Sequence, residues 1–278
     1  MKGKRNGIQK VRLGFQISVF ALVMALALVK WLHDLGLDIP LPDVSLHAVC
    51  PFGGVVTLYD FLATGAFLPK LHSSALILML LGLVVALFFG PVFCGYACPL
   101  GSVQEWLGKL GRKLFPKRYN RVIPPAADRA LRYARYGVLA LVVYQTAVAG
   151  KLVFQEVDPY YALFNFFTGE VALSALIILA AVLLLSLVTE RPWCKYLCPY
   201  GALLGLFNLI RVFPIRRKAS SCIHCKRCDQ ACPMRLDISN AEAVRDPSCI
   251  SCYRCVSGSA CPVDDTVTIT NHKEANAQ

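Results

Sequence analysis

Charge is scarce in this chain. Asp, Glu, Lys and Arg together make up 17% of its 278 residues, and the acids number only 17. With 56% hydrophobic residues and a mean hydropathy of +0.53, so little charge excludes intrinsic disorder and is too sparse for an ordinary soluble domain. The long apolar runs carry no Asp, Glu or Arg near their centres. That argues against a transporter, because pathways through lipid need such groups. No A-x-A-like cleavage site follows the first run, which is also longer than the ~7–15 residues of a signal-peptide core.

Four apolar stretches are present: residues 11–32, 74–93, 136–154 and 171–189. At ~1.5 Å per residue, about 20 residues cross a hydrocarbon core ~30 Å thick, so each reads as a transmembrane helix. The third is the weakest, with Gln145 and Thr146 inside it, and Lys30 and Trp31 read as interfacial anchors of the first. Basic residues gather before the first stretch (Lys2 to Arg12), between the second and third (Lys109 to Arg135) and after the fourth (Arg191 to Lys218). The opposite side holds Lys30, Lys70 and Lys151 among acids such as Asp34, Asp60 and Glu170. Cytoplasmic loops carry the Lys/Arg excess, so both termini are expected in the cytoplasm of an inner-membrane protein. The net charge of +12 therefore reads as topology and contact with anionic lipid; charges that hug span ends do not suggest nucleic-acid binding.

Cysteine is abundant, with thirteen residues. An odd count at two-residue spacings is a poor disulfide framework and a good metal framework, and it implies a reducing compartment. From Ala219 the composition turns nearly neutral, and two runs appear: Cys222-x2-Cys225-x2-Cys228-x3-Cys232-Pro233 and Cys249-x2-Cys252-x2-Cys255-x5-Cys261-Pro262. Three thiolates two residues apart can wrap three corners of a cubane, and a fourth from elsewhere closes the site. CxxC pairs also serve zinc, but zinc sites rarely use this doubled pattern. His224 lies inside the first run, where the cysteines leave it no ligand role.

A second motif occurs twice, 100 residues apart: Phe93-Cys94-Gly95-Tyr96-Ala97-Cys98-Pro99 and Trp193-Cys194-Lys195-Tyr196-Leu197-Cys198-Pro199. Each copy follows an apolar stretch and opens an amphipathic one ending in Phe115-Pro116 or Phe213-Pro214, so the membrane part reads as two repeated units. Proline at a first helical position puts Cys98 and Cys198 at N-caps, where a helix terminus favours a thiolate. Three readings stay open for Cys94, Cys98, Cys194 and Cys198: a further metal centre, a structural turn, or redox-active thiol pairs. Cys50-Pro51 echoes the motif on the outer side without a partner cysteine. His33, His47 and His72 fall on that side too, where packing or hydrogen bonding to a quinol suits them better than haem ligation.

The tail resembles the bacterial two-cluster [4Fe–4S] ferredoxins, in which the fourth cysteine of each run serves the other cluster. That resemblance implies one cluster on Cys222, Cys225, Cys228 and Cys261, and another on Cys249, Cys252, Cys255 and Cys232. The five-residue gap before Cys261 departs from the usual three, and a two-residue bulge would absorb it. The tail together with the paired CxxxCP motifs is similar to the NapH family of membrane ferredoxin-type proteins, related to the membrane portions of NosR and CcoG proteins. The resemblance implies a quinol dehydrogenase component. It would pass electrons between a cytoplasmic-side donor or the quinone pool and a membrane or periplasmic redox protein. Any flavin would sit on that partner, since outer loops of about 40 and 17 residues leave no room for a flavin domain.

The expected architecture is an all-α polytopic membrane domain over residues 1–218, with four transmembrane helices. A small α+β two-cluster ferredoxin domain over residues 219–278 would lie on the cytoplasmic side. Alternatives are a CcoG-like metal-reducing or assembly factor and a membrane redox sensor. The sequence leaves the donor, the acceptor and the direction of transfer open.

Overall fold

The computed structural model describes residues 2–36, 73–149, 153–166 and 171–270, and it is mostly helical. The first helix, α1 (Lys2–Asp34), is rich in Leu, Ala and Val and free of proline. It stops at Gly36, whose left-handed φ of +82° lets its N–H reach the carbonyl of His33 at 2.9 Å. Within α1, Gly7–His33 is the one described segment long and apolar enough to cross a membrane by length and composition.

The other expected spans form shorter regular helices: α2 (Ser73–Phe89), α5 (Ala134–Ala149) and α7 (Leu173–Ser186). The reasons are local. Gly90 takes φ +77° and Pro91 follows, which ends α2. The 136–154 stretch is broken, with α5 ending at Ala149 and a 3-10 turn starting at Val153. After α7 the chain winds down through turns at residues 187–189. Between these lie α3 (Pro99–Leu114), α4 (Pro125–Leu131), α6 (Pro159–Asn165), α8 (Pro192–Tyr196) and α9 (Pro199–Ile210). Each starts on proline, whose fixed φ and missing N–H suit a first turn. Of the two stretches expected to be amphipathic, α3 is so. The second, α9, is apolar throughout, with Asn208 its one polar side chain other than Tyr200.

The chain packs as two units that interleave in sequence. One comprises residues 18–82 and 99–200. Its core joins Val23, Ala27 and Phe164, with Phe20 edge-on to Trp106 at 5.4 Å. Helix α3 comes so close to the end of α7 that a Cβ on Gly111 would collide with the backbone of Leu187. The other unit comprises residues 1–17, 83–98 and 201–278. It holds a three-stranded antiparallel sheet, β1 (Ile215–Arg217), β2 (Ala243–Val244) and β3 (Val267–Ile269), in the order β2-β1-β3. Just before β1, Val212 and Phe213 donate their N–H groups to the carbonyls of Leu87 and Phe88 at the end of α2. A five-residue helix, α10 (Arg227–Ala231), completes it. Ile215, Met234, Leu236, Ile238 and Val267 are buried beneath the sheet and its loops.

Candidate iron–sulfur sites

The two cysteine runs share a backbone device. His224 and Lys226 flank Cys225 at φ 52° and 55°, and Ser251 and Tyr253 flank Cys252 at 48° and 53°. Each left-handed non-glycine residue costs about 1–2 kcal/mol. The middle cysteine of each run is held between two left-handed residues. The strain thus falls on both runs at equivalent positions, 27 residues apart.

Each run borders a cavity, and each cavity is lined by four cysteines. The outer one is lined by Cys222, Cys225, Cys228 and Cys261, the inner one by Cys232, Cys249, Cys252 and Cys255. Cys228 and Cys232 are separated by one turn of α10 and the bend after it, yet line different cavities. Asp229 fixes that bend: its carboxylate accepts from the N–H groups of Ile238 and Ser239 at 2.7 and 2.8 Å and from Ser239 Oγ at 2.6 Å. The longer gap before Cys261 is taken up by a turn. Ser257 Oγ donates to Arg254 O, and Ser257 O accepts from the N–H groups of Ala260 and Cys261, both at 3.0 Å.

The donor chemistry fits polynuclear clusters. Zinc at ~2.3 Å from each sulfur would draw four thiols to one point. Among the described residues no three of His, Cys, Asp or Glu converge to hold a single ion; the thiols ring cavities instead. The cavities differ. Cys225 is exposed in the outer one, whereas the inner one is walled by Ile215, Met234, Leu236, Ile238 and Val244. In the metal-free chain, burial and then the Asp229 carboxylate push the Cys228 thiol up to about 11. Burial raises Cys232, Cys249 and Cys255 as well. Loading with metal must therefore expel protons.

The first CxxxCP motif packs on the inner site. Phe93–Ala97 forms a π turn in which Cys98 N–H reaches Phe93 O at 2.9 Å; Cys198 and Trp193 repeat that bond at 2.9 Å. A Cβ on Gly95 would lie 2.5 Å from Ile250 O and 3.3 Å from Cys252 Cα, so only glycine allows the approach. The carbonyl of Gly95 accepts from Arg12 Nε at 3.0 Å and Gln16 Nε2 at 3.1 Å, and Gln9 donates to Cys252 O at 3.1 Å. Tyr96 meets Tyr253 edge-on at 6.2 Å. Burial pushes the Tyr96 hydroxyl up to about 12, against the pull of Arg12.

The second motif belongs to the other unit. There Gln104 accepts from Trp193 N–H at 3.1 Å and donates to Cys194 Sγ at 3.7 Å. Buried ion pairs surround it: Arg191 with Glu105 at 2.6 Å, Lys195 with Asp128 at 2.5 Å, and Arg132 with Asp128. Sequence reading assigned these cations to topology and missed their internal role. The legible signal was the acids, since Glu105, Asp128 and Glu190 stand alone within strongly basic stretches. Cys50, His47 and His72 lie outside the described residues, and His33 sits near the end of α1.

Two family models match. One described as a 4Fe-4S binding domain covers residues 71–118 and 171–218, the two CxxxCP repeats, and one described as a 4Fe-4S dicluster domain covers residues 214–262. The ferredoxin-type protein NapH of Haemophilus influenzae is 30% identical, over 72% of each chain. The chain belongs to the NapH-type ferredoxin family. NapH of Escherichia coli is 27% identical, over 80% of this chain and 78% of its own. The putative electron transport protein YccM of Escherichia coli is 35% identical over 81% of this chain, which spans 63% of YccM's length. No solved structure matches. Family membership, the two matching domains and the cysteine-lined cavities make this an iron–sulfur protein of the 4Fe–4S type.

Proposed function

We propose that this protein is an inner-membrane electron carrier that moves single electrons between a quinol or a cytoplasmic-side donor and a membrane or periplasmic redox partner. In this reading Cys222, Cys225, Cys228 and Cys261 hold one [4Fe–4S] cluster, and Cys249, Cys252, Cys255 and Cys232 hold the other. The observation that carries it is the pair of cavities, each ringed by four thiols, with left-handed residues on either side of one cysteine in each. When bound, such clusters supply reversible one-electron transfer over a wide range of potentials. The chain's own residues do the rest: Asp229 steers Cys232 across, Gly95 lets the first CxxxCP turn approach, and the apolar inner wall excludes water.

Four transmembrane helices with both termini cytoplasmic complete the reading. Support comes from large side chains left bare on the apolar helices: Val11, Leu22 and Leu28 on α1, Ile77 and Leu81 on α2, Leu141 and Val148 on α5, Leu173 and Leu184 on α7. Large apolar side chains left bare in this number suit lipid. The shorter helices, 17, 16 and 14 residues, fit a bilayer that thins locally around them.

Anaerobically purified full-length protein tests the proposal through iron content and EPR during titration with menaquinol. About eight irons per chain and menaquinol-reducible signals are expected for two cubanes. Fewer than about six irons removes the two-cluster assignment. Reduction by a low-potential cytoplasmic-type reductant but not by menaquinol removes the quinol.

A further inference from the structure

Beyond the fourth apolar stretch Arg191 and Lys195 are buried against carboxylates; a third buried cation there is not. Arg211, just past α9, is 1% exposed. Its Nη2 donates to Val244 O at 2.6 Å and its Nη1 to Ser251 Oγ at 3.3 Å, while its Nε is buried without an acceptor. Among the described residues no carboxylate lies within ion-pair distance of it. A guanidinium does not shed its proton, and a buried cation without counter-charge is strongly unfavourable. Both partners of Arg211 belong to the inner site: Ser251 lies between Cys249 and Cys252, and Val244 lines the same cavity. The outer site has charged neighbours of both signs: Arg217 and Lys226 line its cavity, and Cys228 Sγ lies 3.7 Å from the Asp229 carboxylate.

We propose that Arg211 is the buried counter-charge of the inner four-thiolate site and raises that cluster's reduction potential while leaving the outer one alone. The inference rests on the ligand sets proposed above. A cubane held by four thiolates is net negative and gains one further negative charge on reduction. Burial in an apolar wall makes that gain unfavourable, and a fixed cation offsets it. The balance is one electron in, from the quinol or donor of the proposed function, with no bond made or broken. Arg211 is thus a positioning and tuning residue that touches the loop carrying the ligands.

Anaerobic potentiometric EPR on the full-length protein in detergent tests this with three variants, Arg211→Gln, Arg211→Lys and Asn208→Asp. Asn208 is fully buried, its Oδ1 has no donor, and it and Arg211 Nη1 both lie within 3.1 Å of where a Cβ on Gly90 would sit. A carboxylate there would set a negative charge beside the guanidinium at nearly the same side-chain shape, at the cost of the hydrogen bond that Asn208 Nδ2 donates to Asp246 O at 2.6 Å. In Arg211→Gln and Asn208→Asp, one of the two clusters should lose at least tenfold in its reduced-to-oxidised ratio at fixed poise, 59 mV for one electron. The other cluster should stay within about twofold, and Arg211→Lys should keep most of the wild-type value. The proposal fails if full iron is retained and neither potential moves, if both move equally, or if Lys behaves as Gln. Should Arg211→Gln lose the inner cluster outright, Asn208→Asp decides by the same criteria. Failure of the ligand reading shows separately, as wild-type protein with iron for fewer than two cubanes.

Discussion

Asp128 is a single carboxylate meeting two buried cations, Lys195 and Arg132, and the hydroxyl of Tyr196 at 2.5 Å. Burial opposes its ionisation, but the hydrogen bonds from Lys195, Tyr196 and Arg132 outweigh that and hold it at about 2. Because its folded value lies below the ordinary 3.8, the stability it brings is complete above about pH 4 and is lost as pH falls through about 2. That is worth about 2 kcal/mol, and it should appear as an acid-side drop in melting temperature between pH 4 and pH 2. Asp128→Asn leaves two buried cations without their charge and should cost about 3–5 kcal/mol at neutral pH, removing that acid-side drop. Gly95 tests steric fit. Gly95→Ala drives a methyl into Ile250 O and should lower iron content by one cluster's worth, measured as iron per chain. Gly137→Ala meets nothing within 4 Å and should leave iron unchanged while stabilising its helix by about 0.5–1 kcal/mol.

At the scale of elements, the left-handed residues on either side of Cys225 and Cys252 separate backbone demand from side-chain chemistry. Lys226 is exposed at φ 55°, so Lys226→Gly should retain the clusters and gain about 1 kcal/mol in denaturant stability. Lys226→Ile puts a β-branched side chain where it is least tolerated and should speed loss of the visible cluster absorbance. The spacing of the cysteines announced the runs, and Pro99 and Pro199 announced two helix starts. The apolar stretches announced helices but overstated their regular length, because Gly90 and the 3-10 turn at Val153 act locally against a uniformly apolar pattern. Hydrophobicity also hid the difference between α3 and α9. Arg211 and Arg191 were invisible as internal residues, since a cation at a span end and a cation buried beneath it look the same in one dimension.

For the whole molecule, composition separates a membrane-type half from a neutral cysteine-rich tail, and packing ties segments of the first to the second. The tail is grouped with residues 1–17 and 83–98, which supply Gln9, Arg12 and Gly95 to the inner site. Removing the first 17 residues should therefore disturb the inner cluster's EPR signal more than the outer one's, though both lie about 200 residues away in sequence. The proposed topology makes a further prediction. In inside-out vesicles the basic segment between α3 and α4 should be cut by trypsin, and in right-side-out vesicles it should be protected. The opposite pattern would reverse the orientation.

Cys232 leaves the outer site's own run to line the inner cavity, and Cys261 does the reverse. Under the proposed ligand sets, crossed in this way, neither cubane can be completed until both halves of the tail have been synthesised and brought together. Maturation then becomes all-or-nothing: a chain interrupted between the two runs has three thiols for one cubane and a single thiol, Cys232, for the other, and completes neither.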